Sequence, residues 1–188
     1  MIWPQPDLRV LFVCSANVCR SPLAEGLMRR RLELMGLHRR IQVRSAGSWT
    51  GQRGRRPDPR VTKIAADVGI SLARIRARQL TPKMIERADY ILVMDRDHLQ
   101  EVIDLGSPVQ REAAPTYNTP TFSNSRDVSS RVYLLSDFLP DNFREIHDIP
   151  DPYFGDWNTF TTVYKLIDTA LTGFLNHLQS QSDILRKP

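Results

Sequence analysis

The stretch from Leu8 to Gly36 constrains the fold more than any other part of this 188-residue chain. Its first part, LRVLFV at residues 8–13, is typical of a short buried strand. Ser21-Pro22 then predicts the start of a helix, because proline is favoured in a first helical turn, and Gly36 predicts its end. A strand, a tight loop and a helix start together form the architecture of an anion site, where backbone N–H groups converge on the ligand.

The loop between this strand and this helix carries a reactive side chain near each end. It begins with the thiol of Cys14 and reaches the guanidinium of Arg20, and small residues between them let the backbone turn closely. Asn17 tolerates the left-handed conformation that a curled loop often requires. A positive field that holds a phosphate also favours a thiolate, so Cys14 is a candidate nucleophile. The loop reads Cys14, Ser15, Ala16, Asn17, Val18, Cys19, Arg20 and Ser21.

The rest of the chain alternates predicted strands with predicted helices, which favours an α/β fold with a parallel sheet. Residues 106–130 are rich in Pro, Ser, Thr and Asn and are predicted to form a long surface loop. Residues 179–188 are predicted to be a short polar tail. We expect one domain over residues 1–188, with a core at about 8–178. Further strands are predicted at 41–44, 88–94 and 131–135, and helices from Asp58, from Thr81, through Leu99 and over 160–178.

The charge of the chain favours an anionic partner. It has 26 basic and 21 acidic residues, a net charge of +5, and 22 of the basic residues are arginines. Arginine is suited to bidentate contacts with phosphate or carboxylate groups. Residues 1–60 have a net charge of +8, from 12 arginines and four acids, whereas residues 140–188 have a net charge of −3. This asymmetry predicts one positive face.

Cysteine usage and hydropathy narrow the class of protein. Two cysteines cannot build a disulfide framework, and no set of Cys and His residues has the spacing of a zinc site. Reduced thiols favour a cytoplasmic location. We expect neither a signal peptide nor a membrane span, because the apolar run at 10–14 is short and no stretch approaches the ~20 apolar residues of a membrane helix.

The run VLFVCSANVCRSPLAEG at residues 10–26 resembles the V-C-x-G-N-x-C-R-S-P signature of the low-molecular-weight protein tyrosine phosphatases. The resemblance covers about residues 8–178. It implies a three-layer α/β fold with a central four-stranded parallel sheet flanked by helices. It also implies hydrolysis of phosphotyrosine through a phosphocysteine, with no metal and no other cofactor. Further matching stretches follow in order at 45–47, 58–60, 76–80, 94–95 and 149–153.

The resemblance implies a role for each reactive side chain. Cys14 would attack the phosphorus, and Arg20 would hold two phosphoryl oxygens while the loop amides neutralise the remaining charge. Ser21 would donate a hydrogen bond to the Cys14 sulfur. Asp151 would protonate the leaving phenolic oxygen and later accept a proton from the hydrolytic water. Cys19 would protect Cys14 from over-oxidation by trapping it in a reversible disulfide.

The same resemblance implies aromatic walls around the substrate ring. Tyr153 and Phe154 follow the predicted acid and would form one wall. Trp49 would form the opposite wall, although the spacing to Asp58 leaves Gln52 as an alternative.

Two positions depart from the family pattern. Ala16 replaces the usual glycine, which is a small change. Ile75 stands where the family usually has a histidine that hydrogen-bonds the loop through Asn17. Because an apolar side chain cannot do this, we expect the support of Asn17 to come from Ser21, Ser45 or elsewhere.

Three other functions stay open at the level of sequence. An arsenate reductase on the same fold would use Cys14 with an external thiol, because the chain has no further cysteines. A phosphoarginine phosphatase tends to have Thr at position 18, whereas the branched apolar Val18 favours a tyrosine ring. A non-catalytic anion or nucleic-acid binding protein would account for the arginines, but no helix-turn-helix or aromatic RNA-binding motif is present. The expected partner is therefore a tyrosine-phosphorylated protein, such as a cognate tyrosine kinase, with no nucleic acid and no membrane insertion.

Overall fold

A computed structural model describes residues 5–107 and 127–181 of the chain. Four strands alternate with five α-helices, and short 3-10 turns lie at 50–52, 129–131, 135–138 and 141–143. The strands are β1 (Leu8–Cys14), β2 (Ile41–Gly47), β3 (Tyr90–Val93) and β4 (Val132–Leu134). The helices are α1 (Arg20–Leu34), α2 (Pro59–Asp67), α3 (Pro82–Arg87), α4 (Arg96–Gly106) and α5 (Trp157–Gln181).

The four strands form one parallel sheet in the order β2-β1-β3-β4. This confirms the predicted α/β class and the four-stranded sheet. β2 extends to Gly47, three residues beyond the predicted end, because it pairs with β1 as far as Cys14. β3 and β4 are shorter than the predicted 88–94 and 131–135. Parallel pairing brings the carboxyl ends of β1, β2 and β3 to one edge of the sheet, and the loop that starts at Cys14 lies there.

Helices cover both faces of the sheet, which completes the three-layer arrangement. On one face, Val10 and Phe12 of β1 belong to a core shared with α1, α2 and α5. On the other face, Leu11 and Val13 pack with residues of α3 and α4. The alternation along β1 follows from the period of two of an extended strand. A strand buried on both faces gives the chemically active loop a rigid base.

The predicted long loop and polar tail lie mostly outside the described residues. Of residues 106–130, the segment 108–126 is not described, and the described part after it includes a 3-10 turn at Ser129–Arg131. The tail begins later than residue 179, because α5 continues through Gln181. Its apolar stripe reaches the buried Leu178, so the last helical turn still packs on the core. In residues 5–107 and 127–181, no helix has the length and apolar character needed to cross a membrane.

Candidate active site

Two backbone N–H groups of the loop, those of Ala16 and Cys19, face the interior of the loop. The carbonyl oxygens of Ser15 and Val18 accept hydrogen bonds from the backbone N–H groups of Trp49 and Asp58, at 2.9 and 2.8 Å. In a trans peptide the C=O and the following N–H point in opposite directions. The N–H groups that follow these two carbonyls therefore face away from their outer partners, toward the place where an anion would bind.

Two backbone features allow this tight curvature. A Cβ atom at Gly47 would lie 2.6 Å from the Ser15 carbonyl oxygen, so only glycine lets the loop pack against the end of β2. Asn17 has a φ of 53°, in the left-handed region that asparagine tolerates better than most residues.

The side chain of Asn17 stabilises the loop from within and orients Ser21. Its Oδ1 accepts a hydrogen bond from the backbone N–H of Arg78 at 2.9 Å, and its Nδ2 donates to Ser21 Oγ at 2.8 Å. Ser21 Oγ lies 3.0 Å from the sulfur of Cys14. Because Asn17 donates to Ser21, the hydroxyl hydrogen of Ser21 can point at the sulfur, where it stabilises a thiolate.

The support of Asn17 agrees with the sequence expectation at Ser21 and differs from it at Ser45. Ile75 is buried in the core, and the backbone N–H of Arg78 does what the usual histidine side chain would do. The hydroxyl of Ser45 donates instead to Glu25 Oε2, at 2.5 Å. Ser45 therefore joins β2 to α1, and it supports the loop only through the helix that follows it.

Arg20 is only 3% exposed, and its guanidinium donates four hydrogen bonds. Its Nη1 donates to Asp95 Oδ2 at 2.8 Å and to the carbonyl oxygen of Ile149 at 3.0 Å. Its Nη2 donates to Asp151 Oδ2 at 2.7 Å and to Ser15 Oγ at 3.2 Å. These contacts fix the plane of the guanidinium, which a bidentate contact with phosphate requires.

His98 completes this network, although the sequence alone predicts no role for any histidine. His98 is 4% exposed; its Nε2 lies 2.9 Å from Ser15 Oγ and its Nδ1 lies 2.6 Å from Asp95 Oδ1. Burial alone would raise the pKa of Asp95, but its hydrogen bonds with His98 and Arg20 outweigh burial and hold that pKa well below its usual range. Asp95 also caps α4 by accepting the backbone N–H of His98. The sequence does contain a signal for this role of His98: a helix-capping Asp directly after a buried strand, followed three residues later by His.

Asp151 lies beside Arg20, 131 positions away in sequence, because its segment is tied to the end of β3. The backbone N–H of Ile149 donates to the carbonyl oxygen of Met94 at 2.7 Å. The side chain of Asp151 is 47% exposed, and its Oδ1 accepts the backbone N–H of Tyr153 at 3.0 Å. One carboxylate oxygen is thus used to shape the turn, and the other faces the loop.

Arg60 holds the segment that carries Asp151 against α2. It donates to the carbonyl oxygens of Tyr153 and Gly155, at 3.0 and 3.2 Å. Its Nη2 also pairs with Asp58 at 2.9 Å, and its guanidinium lies 4.1 Å from the ring centre of Phe160. The backbone N–H of Asp58 donates to the carbonyl oxygen of Val18 in the loop that starts at Cys14. The Arg60–Asp58 pair therefore connects this loop with the segment that carries Asp151. The sequence identifies the 58–60 stretch as matching the family, but it does not predict the contacts of Arg60 with the segment that carries Asp151.

A cavity of about 260 Å³ opens above Cys14 between aromatic side chains. Trp49 and Gln52, the two candidates for the second wall, both line it. Tyr153 and Phe154 line it as well, their rings pack edge to face at 5.0 Å, and Phe154 is 98% exposed. The remaining lining residues come from the loop and the acid segment: Ser15, Ala16, Val18, Cys19, Arg20 and Asp151.

Cys19 faces the same cavity but differs chemically from Cys14. It is 4% exposed, and burial, together with the nearby charges of Asp58, Cys14 and Asp151, raises the pKa of its thiol. The Cys19 thiol is therefore protonated at neutral pH. Both cysteines are free.

The arrangement brings a thiol, a fixed guanidinium, inward N–H groups and a carboxyl group around one cavity. A tetrahedral anion in the loop would lie between the nucleophile and the acid, which is the geometry of phosphoryl transfer to sulfur. Among the residues that the structure describes, no group of three or more His, Cys, Asp or Glu side chains is placed to hold a metal ion.

Comparison with known proteins agrees with this arrangement. The family model described as low molecular weight phosphotyrosine protein phosphatase matches residues 9–114 and 117–184. A low molecular weight protein-tyrosine-phosphatase of Streptomyces coelicolor is 33% identical over 92% of this chain and 94% of its own length. The Bacillus subtilis phosphatase YfkJ is 30% identical over 94% of this chain and 99% of its own length. The crystal structure of YfkJ superposes with a TM-score of 0.76 over 93% of this chain and 96% of that one.

Proposed function

The chain belongs to the low molecular weight phosphotyrosine protein phosphatases, and we propose that it hydrolyses phosphotyrosine in proteins through a phosphocysteine formed on Cys14. The observation that carries the proposal is the position of the Cys14 sulfur. It lies 3.0 Å from a serine donor at the start of α1, under a cavity whose rim holds Asp151.

In the first step, the Cys14 thiolate attacks phosphorus, so that an S–P bond forms and the P–O bond to the phenol breaks. Arg20 and the inward N–H groups of the loop stabilise the charge on the equatorial oxygens. Asp151 gives its proton to the departing phenolic oxygen, which leaves as tyrosine.

In the second step, a water molecule attacks the phosphocysteine. Asp151, now a carboxylate, takes a proton from this water, the S–P bond breaks, and inorganic phosphate leaves the loop. Ser21 donates to the sulfur as it becomes a thiolate again, which makes Cys14 a better leaving group. His98 and Asp95 hold Ser15 and Arg20 in place through both steps.

Hydrolysis of p-nitrophenyl phosphate tests the proposal directly. We expect turnover by the wild-type chain without added metal and in the presence of a chelator, and no turnover by Cys14→Ser. Rapid quenching during turnover should trap a phosphorylated form of the wild-type protein. The Cys14→Ser variant should not form this phosphocysteine. Full turnover by that variant would remove Cys14 from the mechanism.

The other functions have less support. An arsenate reductase would need an external thiol to discharge the adduct on Cys14, because the chain has no cysteine outside the active loop. The place of Val18 on the cavity wall supports a tyrosine ring rather than a phosphoarginine chain. A non-catalytic binding protein would not need Cys14, Arg20 and Asp151 around one cavity, because anion binding requires neither a thiol nor a carboxyl group there. Oxidation of thiols that depends on arsenate would identify an arsenate reductase. Faster phosphate release from phosphoarginine than from phosphotyrosine would identify a phosphoarginine phosphatase.

For the substrate we propose a tyrosine-phosphorylated protein of the reducing cytoplasm, with a cognate tyrosine kinase as the first candidate. Two free cysteines beside each other in the active loop support a reducing compartment. Asp151→Ala keeps the nucleophile and slows the protonation of the leaving group, so it should retain phosphoproteins from a lysate. Elution by vanadate and identification by mass spectrometry would name the substrate.

A further inference from the structure

Arginines that the mechanism does not use converge on a second cleft, on the face of the sheet that α3 and α4 cover only in part. The cleft has a volume of about 730 Å³. Four arginines line it, each from a different part of the chain: Arg9 of β1, Arg44 of β2, Arg78 before α3, and Arg87 at the end of α3. Apolar side chains complete the lining, among them Leu11 and Met84, and no lining residue is acidic.

The positive charge of this cleft is only partly offset within the described chain, by the charge of Glu25 acting on Arg44. Across residues 5–107 and 127–181, no carboxylate lies within ion-pair distance of the guanidinium groups of these four arginines. The nearby Asp89 accepts a hydrogen bond from the backbone N–H of Arg9. Partial burial, followed by the charges of Arg78 and Arg29, lowers the pKa of Arg44. A bound anion would relieve this repulsion.

Backbone pairing connects the cleft with the catalytic cavity. The segment after Gln52, which lines the cavity, pairs with the segment before Arg78: the N–H of Gly54 donates to Ala77 at 2.8 Å, and the N–H of Ala77 donates to Arg55 at 2.9 Å. Arg53 and Arg55, both exposed, are therefore on the segment that leads from the cavity-lining Gln52 to the backbone pairing with Ala77, the neighbour of Arg78. Arg78 in turn touches the phosphate loop through its backbone N–H.

We propose that this arginine track, made of Arg53, Arg55, Arg78 and Arg44 and ending in the cleft, binds an acidic segment of the phosphoprotein whose phosphotyrosine occupies the cavity. The inference rests on the proposed function and adds a substrate class to it. The phosphotyrosine enters above Cys14, and acidic residues of the same polypeptide pair with the arginines. Charge complementarity of this kind raises the rate of encounter and fixes the register of the bound chain.

Continuity with the cavity favours a polypeptide over other polyanions. The track begins at the cavity wall, so the ligand that follows it is continuous with the group held in the loop. Arg44 is three residues from the end of β2, about 10 Å, and an extended peptide covers that distance in about three residues. We therefore expect the acidic residues at about three to eight positions from the phosphotyrosine.

Three phosphotyrosine peptides of equal length test the track. One has four glutamates before the phosphotyrosine at this distance, one has them after it, and one has glutamines throughout. We expect kcat/KM for one glutamate peptide to exceed that for the glutamine peptide by about five-fold at low salt, a gain that shrinks as salt screens the charges. The Arg44→Gln/Arg55→Gln protein should lose this preference. The matched control, Arg30→Gln/Arg74→Gln, removes the same charge from exposed positions outside the track and should keep it.

Two further measurements separate the track from the chemistry. Turnover of p-nitrophenyl phosphate by every protein reports the catalytic centre alone. Fluorescence anisotropy of the labelled peptides on Cys14→Ser measures binding without turnover, so the track is tested whatever the fate of the catalytic proposal. Equal values for the three peptides on the wild-type chain would overturn the inference. Equal losses in the track variant and the control variant would do the same.

Discussion

Nη2 of Arg20 lies 2.7 Å from Oδ2 of Asp151, so the arginine proposed to hold the phosphoryl group is paired with the proposed acid. A phosphate dianion bound by Arg20 would replace this carboxylate at Nη2. The displaced carboxyl group of Asp151 would then be available to the phenolic oxygen as it leaves. The pair therefore links substrate binding to the placement of the acid.

Replacing Asp151 by Asn separates these two effects. We expect kcat for p-nitrophenyl phosphate to fall by about 100-fold or more, because the general acid and base is lost. Inhibition by inorganic phosphate should become stronger, because a neutral amide competes less well for Arg20 and repels the anion less. Steady-state kinetics with phosphate as competitor measures both. Unchanged phosphate affinity would mean that the Arg20–Asp151 pair does not oppose ligand binding.

His98→Asn tests the buried network behind the loop. The shorter amide cannot contact Ser15 and Asp95 together, so we expect Arg20 to lose rigidity and kcat to fall by about ten-fold, with a smaller change in KM. His147→Asn, at an exposed position, is the control. The pH profile of kcat should change shape in His98→Asn but not in the control. Loss of thermal stability without a change in kcat would make His98 purely structural.

Asp95→Asn should make stability depend on pH in a defined direction. The pKa of Asp95 is lowered in the folded state from an ordinary value of 3.8, so its carboxylate stabilises the fold above that value. We expect the variant to lose about 2 kcal/mol of unfolding free energy at pH 7. The difference from wild type should shrink as the pH falls below about 4, because the carboxylate becomes protonated in the unfolded chain first. Urea unfolding at pH 7, 5 and 3 measures it, and a difference that grows toward acid would contradict the assignment.

Arg60→Lys loosens the segment that carries Asp151. Lysine cannot reproduce the several hydrogen bonds that Arg60 makes with Asp58 and with the carbonyl oxygens of Tyr153 and Gly155. We expect kcat to fall by about ten-fold with phenyl phosphate and by less with p-nitrophenyl phosphate, whose better leaving group depends less on the acid. Lys63→Gln on the same helix is the control. Equal losses with both substrates would place the effect of Arg60 elsewhere than on Asp151.

The two cysteines should react at different rates. Burial raises the pKa of Cys19, whereas Cys14 has a serine donor 3.0 Å from its sulfur and a guanidinium in the same loop. Iodoacetamide at pH 7 should therefore modify Cys14 first, as read by peptide mass spectrometry. After peroxide treatment, we expect dithiothreitol to restore more activity to the wild-type chain than to Cys19→Ser. Equal recovery would argue against a protective disulfide.

Local sequence predicted the parts of the site that are neighbours along the chain. Cys14, Asn17, Arg20 and Ser21 lie within eight residues of each other, and the hydrogen bonds among the loop side chains follow from their order. The sheet could be predicted as well, because strands buried on both faces leave continuous apolar runs. Strand ends were less predictable: β2 continues to Gly47 only because β1 continues beside it.

The supporting contacts were beyond the reach of local patterns. Asn17 is held by the backbone of Arg78, which has no side-chain signature, and Ser45 turns to Glu25 rather than to the loop. His98 reads in the sequence as one of four scattered histidines. Its role follows from the pairing of β1 with β3, which brings the start of α4 beside the loop.

The order of residues along the chain is therefore enough to predict the chemistry of this protein, because a nucleophile, a guanidinium and a helix start are held at fixed spacing by covalent geometry. What holds these groups and what faces them follows from the packing of distant segments. Strand order brings the carboxyl ends of β1 and β3 side by side, which places Asp95, His98 and Asp151 around Arg20 across more than seventy positions of chain. Such contacts depend on which strands are neighbours, and a buried charge network forms only where the packed sheet excludes water from it.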